Sequence, residues 1–182
     1  MIEVVPGQIF TGVRRERVSS RGDWVLSDTG KDILKMAVIE RHTGSGRMGL
    51  GLVTGFGLKE GALASSVAHD SHNVIAVGAS DEAMCRAVEE VRDMGGGMAV
   101  AGNGHTLAKV PLEVGGLMST LSLEGLSSRI EGLRRASASL GCSMEEPFMA
   151  LSFLALPVIP ELKLTDRGLV DVIKFEIVPL FY

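Results

Sequence analysis

The sequence predicts an α+β domain with a mainly antiparallel or mixed sheet, flanked by two to three helices and preceded by an N-terminal β appendage. Short apolar runs that are typical of strands outnumber the segments with helical periodicity. Most connections are of hairpin length, which favours antiparallel neighbours. Glycine accounts for 23 of the 182 residues without a regular period, so it indicates tight turns between short elements.

The composition excludes several classes of protein. A hydrophobic share of 46% can bury a full core, whereas an aromatic share of 4% and a net charge of −4 do not suit nucleic-acid binding. Cys85 and Cys142 lie far apart, which argues against a disulfide framework or a cysteine zinc site. The chain shows neither a signal-peptide pattern nor an apolar run of membrane-spanning length. We therefore expect a cytoplasmic protein that binds neither nucleic acid nor membrane.

The first thirty residues differ in character from the rest of the chain. Residues 2–10 and 12–18 have the composition of short strands, the second at a sheet edge, and residues 24–26 lie between turns. We accordingly divide the chain into a β appendage, residues 1–30, which we expect to be part of a small sheet, and a larger domain, residues 31–182.

The larger domain begins with a strand over residues 33–40 that is apolar enough for burial on both faces. A glycine-rich irregular loop is predicted over residues 44–61, followed by strands over 62–68 and 73–78. Residues 161–167 are charged and predict a surface turn. The other predicted elements are a helix over 81–94 after the N-cap Ser80, a hairpin over 97–101 and 106–110, a helix over 123–140 after the N-cap Ser122, a buried run over 148–156 and a closing strand over 171–178.

The glycine-rich segment includes a match to the G-x-G-x-x-G motif at residues 44–49, directly after a predicted strand. Dinucleotide binding by this motif requires a helix that begins at its third glycine. Glycines continue at positions 51, 55 and 57, and each disfavours a helix by about 1 kcal/mol. We therefore interpret the motif as a plain glycine loop.

The densest group of polar side chains is His69, Asp70, Ser71, His72 and Asn73, between two predicted strands. A Ser-His-Asp triad is excluded because neighbours on an extended segment alternate between faces. Three interpretations remain. The two histidines could bind zinc with His42 or Asp70 as a third ligand. The segment could be a polar turn hydrogen-bonded to the backbone, or it could face a ligand shared with another domain.

Arg41 and His42 follow the first strand of the larger domain, where they could also form a solvated charge patch. If the strand before His69 ends at a sheet rim, we expect His69, Asp70 and His72 to line one pocket or groove with Arg41 or His42 within reach. The candidate substrate-side or interface cluster therefore consists of Arg41, His42, His69, Asp70, Ser71, His72 and Asn73. No residue is assigned as catalytic or as a metal ligand.

Five stretches of the chain follow one another in a characteristic order. They are residues 5–9 (VPGQI), 33–42 (ILKMAVIERH), 55–59 (GFGLK), 65–73 (SSVAHDSHN) and 151–166 (LSFLALPVIPELKLTD). Together they resemble the C-terminal domain of bacterial and archaeal adenine deaminases. The resemblance extends over nearly the whole chain and does not depend on a single motif.

The resemblance implies a metal-dependent amidohydrolase that converts adenine and water to hypoxanthine and ammonia. In that family a divalent metal of manganese or iron type is bound by a (β/α) barrel that precedes this region, and its ligands match no residue here. We therefore expect no cofactor in this chain, no activity of the chain alone, and a barrel domain or subunit as partner, with a homodimer as a further possibility. The alternatives are a free-standing binding or regulatory module with the same fold, and an independent enzyme that uses residues 69–73 with a metal.

Overall fold

An eight-stranded mixed sheet is the central element of the computed structural model, which describes residues 1–181. Within these residues the strands are β1 (Ile2–Val4), β2 (Thr11–Val13), β3 (Ser20–Arg21), β4 (Trp24–Val25), β5 (Leu34–Ile39), β6 (Met48–Thr54), β7 (Ala62–Ser65), β8 (Val74–Gly78), β9 (Gly97–Gly102), β10 (His105–Pro111), β11 (Leu162–Thr165), β12 (Gly168–Asp171) and β13 (Glu176–Val178). The helices are α1 (Asp81–Asp93), α2 (Leu123–Ser139) and α3 (Pro147–Phe153). The predicted α+β class is confirmed.

The strands of the large sheet follow the order β10-β9-β7-β8-β5-β6-β1-β2. Strand β1 pairs with β6 in parallel, and the other neighbours in this order are antiparallel. Strands β11, β12 and β13 form a separate antiparallel sheet, and β3 pairs with β4 in a two-stranded ribbon.

The two faces of the large sheet pack against different layers because side chains alternate along a strand. One face is rich in alanine, including Ala37, Ala62 and Ala76, and α1 lies on it through Met84 and Val91. The opposite face carries larger side chains, such as Met36, and packs against α2, α3 and the three-stranded sheet.

Both longer helices begin at the predicted N-cap serines. The side chain of Ser80 accepts a hydrogen bond from the backbone N–H of Ala83, and that of Ser122 accepts one from Gly125. These bonds satisfy backbone donors that the first turn of a helix leaves unpaired. No helix in residues 1–181 is both long enough and apolar enough to cross a membrane.

The predicted irregular loop over residues 44–61 was wrong, because it contains the central strand β6. Gly49 and Gly51 lie on the strand face that the three-stranded sheet covers. A Cβ atom on Gly49 would lie 1.9 Å from the carbonyl oxygen of Thr165, and one on Gly51 would lie 3.2 Å from the side chain of Leu164. These glycines therefore permit close approach of two sheets, which is their usual role inside a strand.

The C-terminal region also differs from the prediction. The expected surface turn over residues 161–167 is mostly strand β11, in which Lys163 is fully buried, and residues 166–167 alone form the turn to β12. The predicted strand over 171–178 is divided into the end of β12 and the strand β13. The chain turns between them because the Asp171 carboxylate accepts a hydrogen bond of 3.0 Å from the backbone N–H of Lys174.

The N-terminal strands join two different sheets. Strands β1 and β2 extend the large sheet, with β2 at its edge as predicted, whereas β3 and β4 form the separate ribbon. The edge is partly covered, because the Thr11 N–H donates to the Pro160 carbonyl at 2.9 Å and the Glu161 N–H donates to the Thr11 carbonyl at 3.0 Å. In the ribbon, Trp24 is 71% exposed.

Candidate functional site

The loop of residues 69–73 lies at the end of the large sheet where β7 is followed by β8. Strand β5 pairs with β8 so that Ile39 lies opposite Val74. Arg41 and His42, which follow β5, therefore lie beside the loop. We name Arg41, His42 and residues 69–73 together the polar loop cluster.

Arg41 and His42 bind the loop through its backbone carbonyls. The Nε of Arg41 donates to the carbonyl of His72 at 2.6 Å, and its Nη2 donates to the carbonyl of Gly115 at 2.8 Å. The Nε2 of His42 lies 2.7 Å from the carbonyl oxygen of Ser71. Since a carbonyl oxygen is only an acceptor, this nitrogen carries the proton. Both side chains thus contact the main chain of the loop.

The imidazoles of His69 and His72 face each other edge-on, with ring centroids 5.7 Å apart and planes inclined by 70°. The centroid of the His69 ring also lies 4.9 Å from that of the Phe153 ring in α3. The backbone N–H of His69 donates to the carbonyl of Ser152 at 3.0 Å. Both histidines are half-buried. Burial, followed by the charges of His69 and Arg41, lowers the pKa of the His72 imidazole, which is therefore neutral at pH 7.

The remaining members of the cluster differ in their burial. Asp70 and Ser71 are exposed, whereas Asn73 is only 3% exposed. The Nδ2 of Asn73 lies 3.4 Å from Asp166 Oδ1, and Asp166 Oδ2 forms an ion pair of 3.2 Å with Arg47 Nε. Within residues 1–181, two buried polar atoms have no hydrogen-bond partner here, His72 Nδ1 and Asn73 Oδ1.

Sequence reasoning missed Arg47 and Asp166 as neighbours of this cluster. Asp166 lies 93 positions after Asn73 and reaches it through the turn between β11 and β12. Its position at the end of the run 151–166 was the one available signal, and that signal did not indicate a contact.

The polar loop cluster does not provide a metal site. Among residues 1–181, no group of three histidine, cysteine, aspartate or glutamate side chains is arranged to bind a metal ion. Two third ligands were suggested from the sequence. Of these, His42 already uses its Nε2–H toward the Ser71 carbonyl, and Asp70 is exposed. The zinc interpretation therefore lacks a complete ligand set.

The neighbouring loop, residues 40–47, is organised by the carboxylate of Glu40. This group accepts five hydrogen bonds, from the backbone N–H groups of His42, Thr43 and Ser45 and from the hydroxyls of Thr43 and Ser45, at 2.5 to 3.2 Å. These bonds, with the hydroxyls of Thr43 and Ser45 as the strongest contributors, hold the pKa of Glu40 far below its ordinary value. Sequence reasoning did not identify this role.

The contacts of Glu40 also decide the meaning of the G-x-G-x-x-G match. Backbone N–H groups that a phosphate-binding loop would offer to an anion are bonded here to the protein's own carboxylate. Strand β6, not a helix, follows the loop. The segment therefore lacks the structural context of a dinucleotide fingerprint.

Comparison with known proteins places the sequence of this chain in a family. A family model described as the adenine deaminase C-terminal domain matches residues 8–176. The chain belongs to this family. The resemblance seen in the sequence is thereby confirmed.

Individual adenine deaminases support the assignment to the adenine deaminase C-terminal domain family. The chain is 53% identical over 181 residues to an adenine deaminase from Desulfatibacillum aliphaticivorans and 55% identical over 181 residues to one from Methanothrix thermoacetophila. It is 49% identical over 177 residues to one from Brucella melitensis. These alignments include 100%, 100% and 97% of this chain, but 32%, 32% and 30% of the relatives. The chain thus spans about a third of the length of the curated relatives it matches.

Proposed function

We propose that this chain is the C-terminal portion of an adenine deaminase and supports a metal-bearing catalytic part that lies outside residues 1–182. The full enzyme would convert adenine and water to hypoxanthine and ammonia. The supporting observation is the identity of about 50% with adenine deaminases over essentially the whole chain. A free-standing module with the same fold is disfavoured, because the matching segment in these relatives is part of a much longer protein.

The metal belongs to the catalytic part in this proposal. Attack of water on C6 of adenine is promoted by a metal ion that makes water a stronger nucleophile. The described residues offer no ligand set for such an ion. We therefore assign the manganese- or iron-type metal to the barrel, and we expect the 182-residue chain alone to have no deaminase activity.

We propose that the polar loop cluster faces the substrate side of the catalytic part. Its support is that the loop backbone is fixed by Arg41, His42 and the carbonyl of Ser152, while Asp70 and Ser71 remain exposed. A neutral imidazole and exposed polar side chains on a fixed backbone suit hydrogen bonding to a purine edge or to a polar interface.

Several further features of the full protein are proposals of the same kind. Within the β appendage of residues 1–30, β1 and β2 pair in the large sheet, and the separate ribbon of β3 and β4, with its exposed Trp24, would be completed by the preceding chain. A cytoplasmic location agrees with the free thiols of Cys85 and Cys142. A homodimer would use the open part of the β2 edge at Val13, and light scattering on the full protein tests it.

A fusion protein tests the proposed function. The 182 residues replace the matching third of the adenine deaminase from Methanothrix thermoacetophila, and release of hypoxanthine from adenine is measured with manganese present. We expect an active fusion, an inactive 182-residue chain and an inactive truncated relative. Enzyme-like turnover by the 182-residue chain alone would contradict the assignment, and so would a folded but inactive fusion.

Variants of the same fusion test the polar loop cluster. Replacing His69→Gln is expected to lower turnover about 10- to 100-fold, within the range of a lost hydrogen-bonding or proton-transfer group. The matched control is Leu123→Ser, an exposed residue at the start of α2. Equal turnover of the two variants would assign the cluster a purely structural role.

A further inference from the structure

A second surface, at the other end of β11 from the polar loop cluster, is apolar. It consists of Ile9, Phe10, Val158, Ile173 and Phe175, whose exposed fractions range from 47% to 82%. We name these five residues the apolar end. Exposed apolar side chains concentrated in one region are typical of interaction sites in soluble proteins.

Three distant segments of the chain meet at the apolar end. Phe10 precedes Thr11, whose backbone exchanges hydrogen bonds with Pro160 and Glu161 at 2.9 and 3.0 Å. The carbonyl of Glu161 in turn accepts a bond of 2.8 Å from the N–H of Val172. The side chain of Thr11 adds a bond of 2.7 Å to the Leu162 carbonyl. The backbone beneath these apolar side chains is therefore fixed.

The side chain of Lys163 also fixes the backbone of this surface. Its side chain lies on the outer side of β11 and is fully buried, and its Nζ donates to the carbonyl of Ile9 at 2.8 Å. Within residues 1–181 it forms no ion pair with a carboxylate. Burial lowers the pKa of Lys163 to about 8. A lysine is rarely buried without a charged partner, and here it holds the segment that presents Ile9 and Phe10.

We propose that the apolar end is the surface on which the part of the protein preceding residue 1 docks. This inference rests on the proposed function, because it requires a catalytic part outside residues 1–182. About two thirds of the length of the relatives lies outside the matched segment, which is enough for a large domain.

The point at which the preceding chain enters supports this occupant. Strand β1 pairs with β2 so that Ile2 lies opposite Val13 and Val4 lies opposite Thr11. Residue 1 therefore lies opposite Arg14, about 13 Å along the strand pair from Phe10 of the apolar end. A large domain attached there would be within reach of these five side chains, and their burial against it would remove apolar surface from water.

One domain can contact both ends of the three-stranded sheet. Strand β11 runs from Leu162 at the apolar end to Thr165, which precedes Asp166 beside the polar loop cluster. Four residues of extended chain measure about 13 Å. The two surfaces therefore have separate roles in this proposal, since the apolar end binds the catalytic part and the polar loop cluster faces its substrate side.

The test measures binding between the 182-residue chain and the separately produced catalytic part of the Methanothrix thermoacetophila relative. The double variant Phe10→Ser and Phe175→Ser is expected to weaken binding at least 10-fold. The matched control is Met118→Ser and Leu123→Ser, which are 61% and 79% exposed near the opposite edge of the large sheet. Its binding is expected to stay within twofold of the original chain.

Hydrogen exchange provides a second measurement that needs no substitution. The amides of residues 7–10 and 172–177 are expected to exchange more slowly in the active fusion than in the 182-residue chain. Unchanged exchange, or equal weakening by both double variants, would overturn the docking surface. Self-association of the 182-residue chain that the apolar-end variant abolishes would assign the surface to a second copy instead. An inactive fusion refutes the proposed function, whereas an active fusion insensitive to the apolar-end variant refutes this inference alone.

Discussion

Two polar loops lie next to each other at one end of the large sheet, and they differ in how their hydrogen-bonding groups are used. In loop 40–47, the Glu40 carboxylate accepts five bonds from its own loop. In loop 69–73, His72 Nδ1 and Asn73 Oδ1 are buried without a partner in residues 1–181, and Asp70 is exposed. Polar density alone therefore does not distinguish a structural loop from a candidate site, whereas unused hydrogen-bonding capacity does.

The largest expected effect comes from Gly49→Val, which tests whether the glycines after loop 40–47 serve packing. The new side chain would overlap the Thr165 carbonyl, so we expect a loss of more than about 3 kcal/mol in unfolding free energy. Urea denaturation measures this loss. The control is Gly46→Ala. The added Cβ would have no neighbouring atom within 4 Å, and the positive φ of 70° costs about 1 kcal/mol. Equal losses would show that β6 does not touch the three-stranded sheet.

Replacing Glu40→Gln tests whether loop 40–47 depends on its carboxylate. We expect the melting temperature to fall by several degrees at pH 7, because the charged acceptor of five hydrogen bonds is lost. The folded pKa of Glu40 is lowered, so its stabilisation is present above the unfolded pKa of about 4.3 and is lost as pH falls toward the folded pKa. Melting curves of the original chain and the variant at pH 7, 5 and 3 measure how the difference between their melting temperatures decreases as the pH falls. The exposed Glu60→Gln is the control, and a similar loss there would contradict the prediction.

Lys163→Met tests whether the buried charge of Lys163 lowers the stability of the fold or is compensated by its hydrogen bond to the Ile9 carbonyl. The folded pKa of about 8 lies below the unfolded value of about 10.4, so the burial penalty is fully present below pH 8 and decreases as pH rises toward 10.4. We expect the variant to melt a few degrees higher than the original chain at pH 7, with a smaller difference at pH 10. At the same time, hydrogen exchange of the amides of residues 7–10 should become faster.

The control for this substitution is Lys59→Met, since Lys59 is exposed and also donates to a backbone carbonyl, that of Thr29, at 3.0 Å. It should not raise the melting temperature at pH 7. A Lys163→Met variant that is less stable at every pH would show that the bond to the Ile9 carbonyl outweighs the cost of burial.

The smallest expected effect on stability is that of Asp70→Asn. Because Asp70 is exposed, its substitution should change the melting temperature by less than about 1 °C. The same variant in the fusion enzyme should lower turnover if loop 69–73 faces the substrate. If Asp70→Asn lost much stability but no turnover, loop 69–73 would have a structural role like that of loop 40–47. The proposed difference between the two loops would then be wrong.

The sequence was sufficient where local signals determine local structure. Ser80 and Ser122 mark helix starts because a serine side chain binds the first-turn N–H groups, which needs no distant residue. The position of loop 69–73 could be predicted because apolar strands flank it on both sides. Its closeness to Arg41 follows from the antiparallel pairing of β5 with β8.

The sequence was insufficient where the cause lies far along the chain. From its local sequence, Gly49 resembles a loop residue. Its role depends on its contact with the carbonyl of Thr165, which no local pattern contains. Lys163 was expected at the surface because lysine is normally solvated, but the segment that includes Ile9 covers it. Asn73 and Asp166 meet for the same reason, since two separate sheets bring them together.

The contacts of Thr11 with the segment before β11 have a consequence for how the chain is made. Partners in these contacts are about 150 positions apart, because Thr11 bonds to Leu162 and Ile9 to Lys163. During synthesis, the N-terminal strands leave the ribosome long before the residues that cover their edge. Contacts of such separation form slowly, and an uncovered edge strand pairs readily with other chains. The nascent protein therefore passes through an interval of exposure to aggregation that ends only after residue 163 has emerged.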